Sequence, residues 1–151
     1  MTTTSEELAS EHVDYEVIAH RRTATAREEA AAVGVPADEV AKTVVLVTRD
    51  GFVRAVVLAS KRVDLEAVRD LLDDPTARLA SEPEVTYAYP LFELGSVPPF
   101  GGPGGDRTIV DPHVLAKGRV VFESGSQRES VRMEAVDLVA LSDAWVAPIC
   151  S

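Results

Sequence analysis

The chain of 151 residues is poor in reactive and ligating side chains, with one cysteine, three histidines and an aromatic content of 5%. Cys150 stands next to the last residue, so no internal disulfide can form and no cluster of metal ligands is expected around it. A thiol at a fraying terminus without a held base is expected to be inert. His12, His20 and His113 are far apart, with no ligand spacing between any pair, which excludes the usual zinc-hydrolase patterns. Also missing are a Gly-x-Ser-x-Gly elbow, a His-Glu-x-x-His pair and a Walker lysine. No apolar run approaches the ~18 residues of a membrane helix. Met1 to Glu11 is polar and acidic, without the basic and apolar regions of a signal peptide. A soluble cytoplasmic protein with no membrane contact, no metal and no cofactor is expected. Positive charge is scarce too: 15 Lys and Arg face 25 Asp and Glu, for a net charge of −10. That balance excludes a broad basic face for nucleic acid, though not a grip on a single terminal nucleotide through one or two phosphates.

What is present reads as one domain of intermixed strands and helices. Tyr15 to Ile18 alternates as a short strand. Thr25 and Glu28 form a capping box for a helix over Ala26 to Val33, stopped by Gly34, and Pro36 opens a short turn ending near Ala41. Thr43 to Thr48 and Phe52 to Leu58 flank Asp50-Gly51 and predict an antiparallel hairpin. Asp64 caps a helix whose Leu65, Val68, Leu71 and Leu72 share a face, and Ser81 with Glu84 caps another that ends before Pro90. Thr108 to Val110, Arg119 to Phe122 and Ser130 to Met133 read as strands, followed by a helix over Ala135 to Leu141 and a last strand over Trp145 to Ile149.

Between Gly95 and Gly105 lie five glycines and three prolines in eleven residues, a density that only a loop accommodates. Its first part, Gly95-Ser96-Val97-Pro98-Pro99-Phe100-Gly101, is either a stiffened connection over the core or a loop that aims backbone N–H groups at an anion. Lys42 stands where the turn passes into the first hairpin strand, as an exposed lysine or as a half-buried one held by its neighbours. Asp111, before Pro112, caps a turn or accepts a hydrogen bond from a substrate ammonium. His20-Arg21-Arg22 and Lys61-Arg62 are the basic clusters, which could supply phosphate contacts if they flank Lys42 in space.

The order Tyr15 to His20, Thr23-x-Thr25, a helix, Ala41-Lys42-Thr43, Val63-Asp64-Leu65, Leu79-Ala80-Ser81, Gly95-x-x-Pro98-Pro99-Phe100-Gly101, Val110-Asp111 and Gly125-Ser126 resembles the YbaK/EbsC/ProX family. The resemblance runs from Tyr15 to Leu141, with a polar extension over residues 1–14 before a domain over 15–151. It implies the fold of the editing domain inserted in bacterial prolyl-tRNA synthetases: a mixed α/β (α+β) single domain with a partly barrel-like sheet surrounded by helices. It also implies an activity, hydrolysis of the ester of a mischarged aminoacyl-tRNA. By the same resemblance Lys42 matches the family's functionally important lysine and Gly95 to Gly101 the glycine-proline loop that lines its substrate pocket, so Lys42, Gly95 and Gly101 are the catalytic candidates. His20, Thr25, Ser96, Pro98, Pro99, Phe100, Asp111, Gly125 and Ser126 are the substrate-binding candidates.

Some relatives carry a histidine-containing stretch where this chain has Ser124-Gly125-Ser126-Gln127, so the pattern is nearer YbaK/EbsC, and the amino acid removed stays open. An aminoacyl ester is already reactive, so a site of this kind can work by orienting water or a ribose hydroxyl and stabilising the oxyanion. Lys42 is expected to hold the terminal phosphate or the ester oxygens, with backbone donors of Gly95 to Gly101, and of Gly125 or Ser126, facing the carbonyl. The partner is the acceptor end of a mischarged tRNA, with a synthetase or elongation factor to add affinity; the oligomeric state is open. Two other classes fit the same residues: a non-catalytic module that binds an aminoacyl end or a synthetase, and an esterase for small aminoacyl or acyl esters.

Overall fold

A computed structural model describes Thr4, Leu8 and residues 11–151. Most of the expected extension over 1–14 lies outside the described residues, but Thr4 and Leu8 are both buried and Leu8 packs into the main core.

Local signals set the first elements. β1 (Tyr15–Ala19) leads into α1 (Ala26–Val33), where Thr25 Oγ1 accepts from Glu28 N at 3.1 Å and the Glu28 carboxylate accepts from Thr25 N. Gly34, at φ 86°, ends the helix with its N–H on the Ala30 carbonyl, a left-handed geometry that glycine adopts without a Cβ penalty. A 3-10 turn over Ala37–Glu39 delivers the chain into β2 (Ala41–Thr48), which returns antiparallel as β3 (Gly51–Leu58). Asp64 Oδ1 accepts from the N–H groups of Glu66 and Ala67 to start α2 (Leu65–Leu72). After β4 (Arg78–Leu79), the Ser81–Glu84 capping box starts α3 (Glu82–Ala88).

The second half follows the long loop: β5 (Arg107–Val110), α4 (Pro112–Leu115), β6 (Arg119–Ser126), β7 (Glu129–Glu134), α5 (Ala135–Ser142) and β8 (Trp145–Val146). Two of these differ from the sequence reading. β6 runs four residues beyond Phe122, through a register shift between Glu123 and Ser126, because a bulge lets the strand keep pairing across Gly125. β8 stops at Val146, since Pro148 offers no N–H and the next two N–H groups, of Ile149 and Cys150, turn to the Asp111 carboxylate.

The strands form a mixed sheet in the order β4-β2-β3-β5-β8 and an antiparallel sheet in the order β1-β7-β6. A single parallel bridge between Val40 and Val121 joins them, so the sheet bends like part of a barrel without closing. Val56, Leu58 and Val110 pack with Phe122, Val131, Met133 and Leu138 in one hydrophobic core. Ala55, Val57 and Ile109 point the other way, onto Val68 of α2. The two-residue period of a strand thus gives the mixed sheet an apolar surface on both sides. The junction at Val40–Val121 brings the N-terminus of α1, the start of β2 and the middle of β6 together.

Candidate active site

At that junction lies a cleft of about 200 Å³, lined by Thr25 and Glu29 of α1 and its cap, Lys42 of β2, Gly95, Ser96 and Val97 of the long loop, and Phe122 and Glu123 of β6. Lys42 is half-buried at its edge. Burial lowers the pKa of its ammonium, and the nearby charges of Arg27 and Arg62 lower it further. None of these three cations is in a salt bridge among the described residues. Three cations that raise one another's electrostatic energy create a position where an anion is strongly favoured. Arg62 belongs to a basic cluster recognised in the sequence; Arg27 was not singled out there.

The inner wall is acidic. Glu29 is 2% exposed and Glu123 6%. Ser130 Oγ is hydrogen-bonded to Glu29 Oε2 at 2.6 Å, and Ser96 Oγ donates to Glu123 Oε2 at 2.5 Å. Burial pushes Glu29 up to about 8, offset in part by the Ser130 hydrogen bond and reinforced by the charge of Glu123. Burial likewise pushes Glu123 up to about 7 against the Ser96 hydrogen bond. Sequence reasoning missed both. Glu29 follows Glu28 in what looks like an ordinary acidic first turn, and Glu123 continues the apolar run Val120-Val121-Phe122. An acid in phase with a buried strand was the available signal.

The glycine-proline loop divides between two tasks. Gly95 and Ser96 line the cleft, whereas Pro98, Pro99 and Phe100 are buried and Gly101 lies outside it. Phe100 packs edge-on against Phe122 with ring centroids 5.6 Å apart. Arg54, 2% exposed, holds the loop from beneath: Nη1 donates to Pro98 O at 2.8 Å, Nη2 to Gly101 O at 2.5 Å and Nε to Asp106 Oδ2 at 2.7 Å. Its guanidinium also lies 4.8 Å from the centre of the Tyr89 ring. Of the pocket-lining N–H groups on this loop, that of Ser96 is taken by Glu93 O at 3.0 Å.

The remaining expected residues lie elsewhere. His20 Nε2 is 2.8 Å from Ser130 Oγ, and neither residue is in the lining of the cleft. Ser126 Oγ accepts from Arg128 N at 3.1 Å within the β6–β7 turn. Gly125 packs under Phe92, and its carbonyl accepts from Glu93 N at 2.8 Å. A Cβ there would lie 2.5 Å from Phe92 Cδ1 at a backbone φ of 108°. Gly125→Ala is therefore expected to lower stability by about 2–3 kcal/mol through strain and overpacking, read as a shifted denaturant midpoint at unchanged slope. A midpoint within error of wild type would refute that packing role.

Asp111 is the cap of α4. Its Oδ1 accepts from His113 N at 2.9 Å and Oδ2 from Ile149 N at 3.0 Å, and it is 1% exposed. Burial would raise its pKa, but these donors outweigh it and the carboxyl sits below its usual range. The fold also gathers Asp111, His113 and Cys150 with ligand atoms within 4.8 Å of one another, although no such cluster was expected around Cys150. The Asp111 oxygens there are already engaged by backbone donors.

The family model of the aminoacyl-tRNA editing domain matches residues 20–141. A candidate trans-editing enzyme for prolyl-tRNA synthetase is similar in crystal structure, with a TM-score of 0.87, 27% identity and coverage of 100% of this chain and 99% of that one. A protein described only as hypothetical superposes with a TM-score of 0.90 at 25% identity, covering 97% and 98%. A scaffold used for computational epitope grafting superposes with a TM-score of 0.88 at 26% identity, covering 97% and 94%. No curated protein matches the chain.

Proposed function

The chain belongs to the aminoacyl-tRNA editing domain family through residues 20–141, and on that premise we propose that it is a trans-acting deacylase that hydrolyses mischarged aminoacyl-tRNA. The observation that carries this reading is the polarity of the cleft, with Lys42 in its lining under the nearby charges of Arg27 and Arg62, and Glu29 and Glu123 buried in its wall. The 3′ end of a charged tRNA has matching polarity, with phosphate at one end and an aminoacyl ester at the other. The cation group gives a chain of net charge −10 a local grip on the last phosphates. The structural relative described as a candidate trans-editing enzyme for prolyl-tRNA synthetase supports a synthetase as the partner that adds affinity. No helix among the described residues is long and apolar enough to cross a membrane.

In this mechanism the Lys42 ammonium holds the terminal phosphate or the ester oxygens and fixes the ester carbonyl in the cleft. Water adds to the carbonyl carbon, and the Glu123 carboxylate, held by Ser96, takes its proton. The Gly95 and Val97 N–H groups are the pocket-lining backbone donors for the resulting oxyanion, since Pro98 and Pro99 have none and that of Ser96 is occupied. Collapse expels the ribose oxygen, which recovers the proton. No covalent intermediate is required.

A general base works best with a pKa near the operating pH, and Glu123 acts in its ionised form. Because burial raises that carboxyl to about 7, kcat/KM is expected to rise as pH increases through about 7 and then level off. Glu123→Gln should lower the plateau by about 100-fold and remove the inflection. A wild-type profile flat from acid to alkaline pH would remove Glu123 from this role.

The tRNA end, as opposed to any small ester, is tested by comparing kcat/KM on a mischarged tRNA with that on the methyl ester of the same amino acid. The cation group predicts a preference of about 100-fold or more for the tRNA, since charge-assisted contacts to phosphate are among the stronger ones. Equal use of both substrates would favour a small-ester hydrolase.

A further inference from the structure

The buried wall of the cleft carries an unusual hydrogen-bonded chain. Ser130, fully buried, lies 2.6 Å from Glu29 Oε2 and 2.8 Å from His20 Nε2, while His20 Nδ1 lies 2.6 Å from the Arg21 carbonyl oxygen. A carbonyl oxygen only accepts, so Nδ1 carries a hydrogen. Ser130 has one hydroxyl hydrogen to share between Glu29 and His20. Two arrangements satisfy every atom. In the first, protonated Glu29 donates to Ser130 Oγ, the Ser130 hydroxyl donates to Nε2, and His20 is neutral. In the second, Nε2–H donates to Ser130 Oγ, the Ser130 hydroxyl donates to the Glu29 carboxylate, and His20 is an imidazolium. The two differ only by the position of one proton along the chain.

Around Glu29 stand Glu123 from β6, Ser130 from β7, His20 after β1 and Lys42 from β2, with Arg27 and Glu28 on its own helix. Neither Glu29 nor Glu123 has a cationic partner within salt-bridge distance among the described residues. A buried carboxyl that lacks a cationic partner and feels the charge of a second carboxyl favours its protonated form, and a cation of the right size replaces that proton.

We propose that Glu29 forms a subsite for a primary ammonium group, the α-ammonium of the aminoacyl ester, and that Ser130 and His20 carry the proton that Glu29 gives up when the ammonium enters. This subsite rests on the deacylase reading and extends it to what the enzyme requires of its substrate: a free α-amino group. Acylated or desamino esters of the same size are rejected, because they leave the acidic wall without its cation. Burial keeps Glu29 protonated in the empty cleft at neutral pH, and the arriving charge shifts the chain to its second arrangement.

The experiment uses two non-hydrolysable probes: a phosphorylated 3′-deoxyadenosine bearing amide-linked alanine, and its counterpart bearing amide-linked propionate, which lacks only the ammonium. Titration calorimetry on the whole protein is expected to show the alanyl probe binding about tenfold or more tighter. Glu29→Gln should reduce that preference while leaving affinity for the propionyl probe unchanged. Nitrogen NMR of the wild-type imidazole provides a readout that needs no variant. The His20 ring should move to the imidazolium pattern with the alanyl probe and stay put with the propionyl one. Equal affinity of wild type for the two probes overturns the ammonium subsite and leaves the deacylase reading standing. An unchanged His20 ring with the alanyl probe bound overturns the proton path. Failure of both probes to bind overturns the deacylase reading and this proposal together.

Discussion

Lys42→Met is expected to reduce deacylation of a mischarged tRNA by about 100- to 1,000-fold, the range seen when a preorganised electrostatic group is removed from a reacting centre. Methionine keeps the length and apolar stem of lysine and removes only the charge. Because Lys42 is half-buried beside Arg27 and Arg62 and its ammonium is disfavoured by both burial and repulsion, its loss should leave stability within about 0.5 kcal/mol of wild type. Activity and folding therefore separate in one variant: circular dichroism and the melting curve stay put while turnover collapses. Lys42→Arg is not a conservative rescue, since the planar guanidinium is broader than an ammonium and cannot occupy the same point. A Lys42→Met protein that deacylates at the wild-type rate would remove Lys42 from the mechanism.

Arg54→Ala is expected to have the largest effect on stability, about 3–5 kcal/mol, as for other buried ion pairs broken from one side. The substitution would strand Asp106 and leave the Pro98 and Gly101 carbonyls without their donor. For a domain of this size that corresponds to a fall in melting temperature of about 10 °C. The Tyr89 hydroxyl, which donates to Asp106 at 2.5 Å, would lose the charge balance of its acceptor as well. Arg54→Lys should recover only part of the loss, because one ammonium cannot reach three acceptors set out for a guanidinium fork. A melting temperature within about 2 °C of wild type would show that the loop is held by something other than Arg54. The same residue links fold to function, since the backbone it clamps at Pro98 and Gly101 continues directly into the cleft-lining Gly95 to Val97.

Much of the fold was legible because its signals are local. Thr25 with Glu28, Ser81 with Glu84, Asp64 before its helix and Asp50-Gly51 between two apolar runs each act within four residues, and each forms the predicted cap or turn. Lys42 and Gly95 could be placed in one pocket from the family resemblance, and the fold brings them together with Thr25 and Ser96. What escaped is non-local. The parallel placement of β5 between β3 and β8 depends on crossings that no short pattern encodes. Glu29 meets Ser130 across 101 residues, and Arg54 meets Pro98 across 44. Arg54 did leave a trace, as a lone charge inside Phe52-Val53-Arg54-Ala55-Val56, where a strand buried on both faces admits an arginine only if its donors are met. Glycine-rich composition identified the long loop without showing that Pro98 to Phe100 point into the core.

Hydrolysis of an aminoacyl ester on tRNA is tested by release of labelled amino acid from tRNAs charged with cysteine, alanine, serine, threonine or proline, with purified protein at catalytic concentration. At least one mischarged tRNA is expected to be discharged with multiple turnovers, its loss slowing to near the buffer rate with Lys42→Met. Persistence of all five ester bonds at the buffer rate, with the protein folded, would contradict this activity.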